Sequence, residues 1–185
     1  QGGLSLPDRD DYLKDDAKSK GKREKFLEHV ARLFELAGKD AASAKADAAT
    51  VLRVETALAD ASMDRVAMRD PKNRDNPMSV AELQQGAPAF DFGAYLPATG
   101  APAFQRLNVT SKKFFQEGNA VVDATPVADW KTWLRWQDVR AAAPYLGAAF
   151  VQEDFRFNRQ FLQGAQEIEP RWKRCVQATD RALGD

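Results

Sequence analysis

The stretch KFLEHVARLFELAG, residues 25–38, decides the fold class of this chain. Its apolar side chains recur at intervals of three and four residues, which places them on one face of an α-helix. They are Phe26, Leu27, Val30, Leu33, Phe34 and Ala37. Gly38 follows, and glycine is a common residue just past a helix end. The spacing predicts a long amphipathic helix over 16–37.

The same reading extends along the rest of the chain. An alanine-rich segment over 41–62 places Val51, Val54 and Leu58 on one stripe, and alanine is the strongest helix former. Ser79 and Glu82 form a capping-box pattern at the start of a short helix. Further helices are predicted over 91–96, 111–124, 126–141 and 150–162, and from Pro170 onward.

The connections are rich in proline and glycine. Residues 2–11 and 63–83 read as irregular, the latter because Pro71 and Pro77 cannot lie inside helices. Residues 87–110 read as loops around one short helix, with mild strand character at Leu107–Val109. The prediction is an all-α fold, an irregular bundle of about seven or eight helices that forms one domain over 1–185.

The composition suits a folded protein, with 185 residues, 44% of them hydrophobic, and 27 basic against 27 acidic side chains. A balanced charge creates no whole-molecule field that would attract nucleic acid or an anionic membrane. No apolar run approaches the ~20 residues that a membrane-spanning helix needs. We therefore expect no nucleic-acid partner and no membrane segment in this chain.

Metal and nucleophile chemistry is restricted by two counts, because Cys175 is the only cysteine and His29 the only histidine. A disulfide within the chain and a multi-cysteine zinc site are excluded. His29 is interpreted as a helical histidine, partly exposed or hydrogen-bonded, since no second imidazole completes a ligand set. Carboxylates are plentiful, but nothing in the sequence selects a pair for acid–base catalysis.

Two charged clusters have a structural interpretation that is stronger than the functional one. The basic cluster is interrupted by Glu24, so a solvated helix face is favoured over a phosphate site. The acidic start of the chain lacks the ligand spacing and central glycine of an EF-hand, so calcium binding is weakly indicated. The members are Lys18, Lys20, Lys22, Arg23 and Lys25 in the first cluster, and Asp8, Asp10, Asp11, Asp15 and Asp16 in the second.

Two further motifs were weighed. The stretch NVT, Asn108–Thr110, fits a glycosylation sequon, a short pattern that arises often by chance. In DWKTWLRW, we expect Trp130, Trp133 and Leu134 to share a core-facing side of a helix, and Trp136 to point elsewhere, toward the surface or an interface. No catalytic, cofactor-binding or metal-ligating residue is assigned.

Four stretches, taken in order, resemble the N-terminal region of the neprilysin family of zinc metalloendopeptidases. Asp11 stands where the family usually has an aromatic residue, Asp75 replaces a tyrosine, and Pro77 follows Asn76. The stretches are GGLSLPDRDDYL (Gly2–Leu13), RDPKNRDNPMSVAEL (Arg69–Leu83), WKTWLRW (Trp130–Trp136) and PRWKRCVQATDRALG (Pro170–Gly184).

The resemblance implies part of the smaller helical lobe, which covers the active-site cavity of the family's enzymes. The family's zinc ligands, including His-Glu-x-x-His, lie in a C-terminal lobe and have no counterpart here. It implies zinc in the parent enzyme, that C-terminal lobe as a partner, and short peptides as substrates. This chain alone is expected to be inactive. A stand-alone helical interaction module is the alternative.

The resemblance also bears on the end and the location of the chain. Asp185 is expected to be the boundary of a fragment, with Trp172 anchoring the last helix to the bundle. A cysteine at this helix start forms a disulfide in animal relatives, but we expect Cys175 to be a buried or half-buried thiol here. The parent protein is expected to be extracytoplasmic, periplasmic or secreted, with a cytoplasmic location as the alternative.

Overall fold

A computed structural model describes residues 3–184, and within that range the fold is all-α, as predicted. This part of the chain contains nine α-helices, where seven or eight were expected. They are α1 Arg9–Leu13, α2 Ala17–Leu36, α3 Ala41–Ala61, α4 Val80–Gly86, α5 Phe92–Ala98, α6 Lys112–Ala124, α7 Val127–Ala142, α8 Ala148–Asp154 and α9 Arg171–Leu183.

Shorter elements connect these helices. Three short 3-10 helices span Ala67–Arg69, Pro71–Arg74 and Ala143–Tyr145, and a π-helix over Phe155–Phe161 directly continues α8. Two short strands, β1 Pro77–Ser79 and β2 Arg106–Asn108, pair antiparallel with Met78 opposite Leu107. The predicted strand character near Leu107 is confirmed, shifted by one residue, whereas β1 lies in a stretch that was predicted to be irregular. Of the described helices, none is long and apolar enough to cross a bilayer.

The two longest helices, α2 and α3, form an antiparallel-compatible pair joined by a tight turn. Asp16 and Asp40 cap their N-termini by accepting hydrogen bonds from the backbone N–H groups of Ser19 and Ser43. Between them Gly38 has φ +97°, a left-handed conformation that favours glycine. Both helices therefore begin and end close to where the sequence places them.

The main core lies where α2, α3 and α7 meet, and Trp136 is at its centre. The Trp136 side chain is 0% exposed and makes edge-on contacts with Phe26 and Phe34, with ring centroids 5.8 and 6.2 Å apart. The expectation that Trp136 points away from the core is wrong, and so is the core position of Leu134, which is 54% exposed. Trp136 is three residues from Trp133 and shares its face of α7, whereas Leu134 is turned by about 100° from Trp133.

A second, smaller hydrophobic cluster lies under the two-stranded ribbon. It buries residues from β1, α4, α5 and the segment after β2, and Phe115 of α6 packs against it. The predicted capping box forms as expected, with Ser79 Oγ accepting from Glu82 N and the Glu82 carboxylate accepting from Ser79 N. Its buried members are Met78, Leu83, Ala87, Phe92 and Val109.

Helix α9 lies apart from both clusters. Across its whole described length no residue of α9 is buried, and Trp172 is 69% exposed. Trp172 therefore does not anchor the helix to the bundle, and Cys175 is exposed where a buried or half-buried thiol was expected. The reason is the connection after the π-helix, which runs from Gln163 to Pro170 and carries the chain away from the core before α9 begins.

Candidate functional site

Two carboxylates are buried in the main core, and both organise hydrogen bonds between distant parts of the chain. They are Glu55 on α3 and Glu153 on α8, with exposed fractions of 0% and 7%. A buried charge is costly unless it is paired or fully hydrogen-bonded. The partners of these two groups are therefore the natural place to look for function.

Glu153 links α8 to α2 through His29. The Nδ1 atom of His29 lies 2.8 Å from Glu153 Oε1, and we assign the proton to Nδ1 because an ionised carboxylate only accepts. Arg156 donates from Nε to Glu153 Oε2 at 2.9 Å and from NH2 to Oε1 at 3.0 Å. Burial on its own raises the pKa of Glu153, but the hydrogen bonds from His29 and Arg156 outweigh it and hold the pKa below its ordinary value.

The His29 ring is enclosed by aromatic side chains. It stacks on Phe157 with centroids 4.4 Å apart and an interplanar angle of 13°, and it meets Trp136 edge-on at 5.7 Å. Among the described residues, the buried Nε2 atom has no hydrogen-bond partner. The prediction of a hydrogen-bonded histidine is confirmed, and the ring is buried rather than partly exposed. Its surroundings are those of a core group that fixes the packing of α2 against α8.

An open groove of about 480 Å³ runs along the surface beside this pair, between α2 and the helix formed by α8 and the π-helix. Its charged lining residues are Arg32, Glu153 and Arg156. Arg32 donates to Glu35 at 3.0 Å, and Arg156 is already bound to Glu153. Because each arginine has a carboxylate partner, the lining does not present the unpaired positive charge that a site for an anion requires.

Glu55 is the acceptor at the centre of the second network, which fixes the start of the chain. Its Oε2 accepts from Tyr12 Oη at 2.6 Å and from Ser5 N at 3.1 Å. Its Oε1 accepts from Ser5 Oγ at 2.7 Å, from Gln137 Nε2 at 3.2 Å and from Trp133 Nε1 at 3.3 Å. Five donors thus converge on one carboxylate, so the charge is fully solvated by protein groups.

The same network ties the N-terminal segment to α7. Trp136 Nε1 donates to Ser5 Oγ at 2.8 Å, and Arg140 donates to Leu4 O at 3.1 Å. Tyr12 Oη accepts from Leu6 N at 2.7 Å. Burial, and then the charge of Glu55, raise the pKa of the Tyr12 hydroxyl far above its ordinary value, so it stays a donor. We call the residues Ser5, Tyr12, Glu55, Trp136 and Arg140 the N-terminal clasp.

Sequence reasoning did not single out either buried carboxylate, although a signal was present. Glu55 interrupts the apolar stripe of α3 four residues after Val51, and Glu153 lies three residues after Phe150 and four before Phe157. An acidic residue at a core position of an amphipathic helix indicates a buried, paired charge. The partners, by contrast, are far away in sequence, at separations of 43 to 124 residues for Tyr12 and His29.

The predicted charged clusters occupy structural positions. Lys22 pairs with Asp11, Lys25 with Glu28 and Lys20 with Asp15, which agrees with a paired helix face. Asp8 caps α1 and Asp16 caps α2, which leaves these carboxylates committed to backbone N–H groups. Within residues 3–184, no cluster of three or more histidine, cysteine or acidic side chains is arranged to hold a metal ion.

The sequon asparagine takes part in the strand ribbon. Asn108 Oδ1 accepts from Asn76 N at 2.7 Å, and Asn108 Nδ2 donates to Arg74 O at 3.0 Å. A glycan is attached through that side-chain nitrogen, so this geometry fixes the group that modification would need to free. In the folded chain Asn108 serves as a structural link between β2 and the preceding loop.

Comparison with known proteins places these features in a family of enzymes. The N-terminal model of peptidase family M13 matches residues 1–185, the whole chain. The chain is also 28% identical over 193 residues to endothelin-converting enzyme 1 of Rattus norvegicus, a match that covers 100% of this chain and 25% of the relative. The chain belongs to peptidase family M13, and it corresponds to the N-terminal region of these zinc metallopeptidases. The predicted resemblance to the neprilysin family is confirmed.

Solved structures agree with that assignment. The zinc metalloprotease Zmp1 of Mycobacterium tuberculosis in its open state is 34% identical, with a TM-score of 0.92, and the match covers 100% of this chain and 29% of Zmp1. Zmp1 in complex with an inhibitor matches with a TM-score of 0.93, 34% identity, and 100% and 28% coverage. The chain thus spans about a quarter of the length of the relatives it matches.

Proposed function

We propose that this chain is the helical N-terminal lobe that covers the active-site cavity of a zinc metalloendopeptidase for short peptides. The observation that carries the proposal is the match of the whole chain to the N-terminal region of family M13, together with a TM-score of 0.92 to a zinc metalloprotease. A lobe of this kind admits short peptides to the cavity, excludes folded proteins, and limits the access of water.

The residues of this chain do not fit a zinc site, which supports placing the metal elsewhere in the parent protein. His29 uses Nδ1 for Glu153 and has its Nε2 buried against aromatic rings, and Cys175 lies on the separate helix α9. Zinc in proteins takes several histidine, cysteine or carboxylate ligands around one point. We therefore assign zinc binding and bond cleavage to the C-terminal lobe, and assign no chemical step to this chain.

The two buried carboxylates support a lobe that moves as one body. The N-terminal clasp joins the start of the chain, α3 and α7, and the Glu153 pair joins α2 and α8. Networks of fully satisfied buried polar groups specify one packing arrangement. A cover for a cavity needs that property, because access depends on the position of the whole lobe and not on its internal flexibility.

The test compares this chain with a longer protein that continues into the downstream region of its gene. The 185-residue chain is expected to bind zinc below stoichiometry by mass spectrometry and to leave a short fluorogenic peptide intact. The longer protein is expected to hydrolyse that peptide in a chelator-sensitive manner and to spare folded proteins. Zinc-dependent cleavage by the 185-residue chain, or equal cleavage of short peptides and folded proteins by the longer one, would refute the proposal.

The alternative function is a helical module that binds another protein and takes no part in catalysis. The exposed apolar residues of α9 are the observation that favours it. The same experiment separates the two, because a module of this kind predicts no downstream region with chelator-sensitive activity. An extracytoplasmic location of the parent protein stays a prediction.

A further inference from the structure

Helix α9 carries a continuous apolar stripe on one side. Trp172, Val176 and Leu183 are 69%, 61% and 82% exposed, and Thr179 completes the stripe at helical spacing. Positions separated by four, three and four residues lie on the same helical face. Single exposed apolar residues need no explanation, but an aligned set along three turns marks an interaction surface.

The described part of the chain does not cover this stripe. The hydrogen bonds and ion pairs of α9 are local, and include Arg174 Nε donating to Glu169 O at 3.1 Å and the Lys173–Glu169 pair. Neither hydrophobic cluster includes a residue of α9. Isolated helices of this length are marginal in water and obtain their stability from packing of an apolar face. Helix α9 therefore needs a partner surface.

We propose that the stripe of α9 packs against a segment of the same protein that lies outside these 185 residues, an apolar surface flanked by acidic side chains. The inference rests on the proposed function, and specifies which face of the lobe contacts the remainder of the enzyme. The length outside this chain supports it, because the matched relatives are about four times longer than this chain.

The charge of α9 selects the kind of partner. The helix carries four basic residues, Arg171, Lys173, Arg174 and Arg181, against the single acidic residue Asp180. Arg171 and Lys173 flank the stripe on its two sides. A second copy of this chain would place these positive charges against each other, and like charges in an interface disfavour pairing. Acidic flanks on the partner would instead complement them.

Cys175 provides a direct readout, because it lies beside the stripe, one turn from Trp172, and is exposed in this chain. The experiment measures the rate at which a thiol reagent modifies Cys175 in the 185-residue chain and in the longer protein, with Cys175→Ser identifying the signal. The expected result is at least a tenfold slower reaction in the longer protein. Each tenfold corresponds to about 1.4 kcal/mol of opening free energy.

Two neighbouring substitutions give a matched comparison in the longer protein. Val176→Glu places a charge in the stripe and is expected to restore rapid thiol modification. Gln177→Glu introduces the same charge on the other side of the helix and is expected to leave Cys175 protected. Far-UV circular dichroism verifies that both variants keep their helical content, and a third variant, Leu183→Glu, repeats the test away from the thiol.

The outcomes separate this inference from the proposed function. Rapid modification of Cys175 in a longer protein that hydrolyses peptides would overturn the docking surface and leave the proposed function intact. Protection of Cys175 in a longer protein without activity would support the docking surface and refute the function. Protection that rises with protein concentration, with dimers in sedimentation equilibrium, would assign the stripe to a second copy and overturn the proposal.

Discussion

Replacing Glu55 by glutamine tests the reading of the N-terminal clasp most directly, because the side chain keeps its shape and loses its charge. Five donors face the two carboxylate oxygens, from Ser5, Tyr12, Trp133 and Gln137. In glutamine one of the oxygens becomes an NH2 group, which meets either Ser5 N–H or the N–H groups of Trp133 and Gln137. Donors then face donors, whichever way the amide turns.

The expected loss follows from the hydrogen bonds that fail. A hydrogen bond to a charged group contributes about 1.5–3 kcal/mol, and an unpaired buried donor adds its own desolvation cost. The Tyr12 hydroxyl recovers part of this by rotating to accept. We expect Glu55→Gln to lower the free energy of unfolding by about 2–4 kcal/mol and the Tm by roughly 5–15 °C.

Urea denaturation with an unchanged m-value is the measurement, since m reports the surface that unfolding exposes. Glu28→Gln is the matched control, because Glu28 is exposed on α2 and pairs only with Lys25 at the surface. No measurable change is expected there. A loss of less than about 1 kcal/mol for Glu55→Gln would show that the clasp does not depend on an ionised acceptor.

Three further predictions concern other parts of the fold. Trp136→Ala is expected to cost about 3–5 kcal/mol by urea denaturation, and Trp172→Ala less than about 0.5 kcal/mol in the 185-residue chain; similar losses for the two would contradict the burial reported above. Because the folded pKa of Glu153 is depressed, its ionised form stabilises the fold above the ordinary value of 4.5, and this contribution is lost as the pH falls through the folded pKa. The stability difference between the wild type and Glu153→Gln is therefore expected at neutral pH and to shrink below pH 4.5, and a difference that does not change with pH would refute the assignment. Asn108→Ala removes two hydrogen bonds of the ribbon and is expected to cost about 1–3 kcal/mol, whereas equal stability would show that this link is dispensable.

The sequence predicted the elements whose signals are local. Helices α2 and α3 follow from apolar spacing and alanine content, and the short helix α4 follows from the Ser79–Glu82 capping box. Strand β1 was missed because its pairing with β2 joins residues about 30 positions apart, and a three-residue stretch that contains Pro77 has no strand signal of its own.

The face of a helix was harder to predict than its existence. Starting from Trp130 placed Leu134 inside and Trp136 outside, but the packing of α7 against α3 is centred between Trp133 and Trp136. For α9 the spacing showed that one face is apolar, but a periodic pattern does not say which surface covers that face. Glu55 and Glu153 depend on donors brought together only by the tertiary fold, so their roles lay beyond local sequence rules.

The N-terminal clasp has a consequence for the order of events during synthesis. Leu4 and Ser5 leave the ribosome first, yet their partners Trp136 and Arg140 emerge more than 130 residues later. Until then Glu55 lacks the donors of α7, and the central place of Trp136 in the core is vacant. The earliest part of the nascent chain therefore waits for one of the latest helices, and a chain interrupted before α7 cannot close its core.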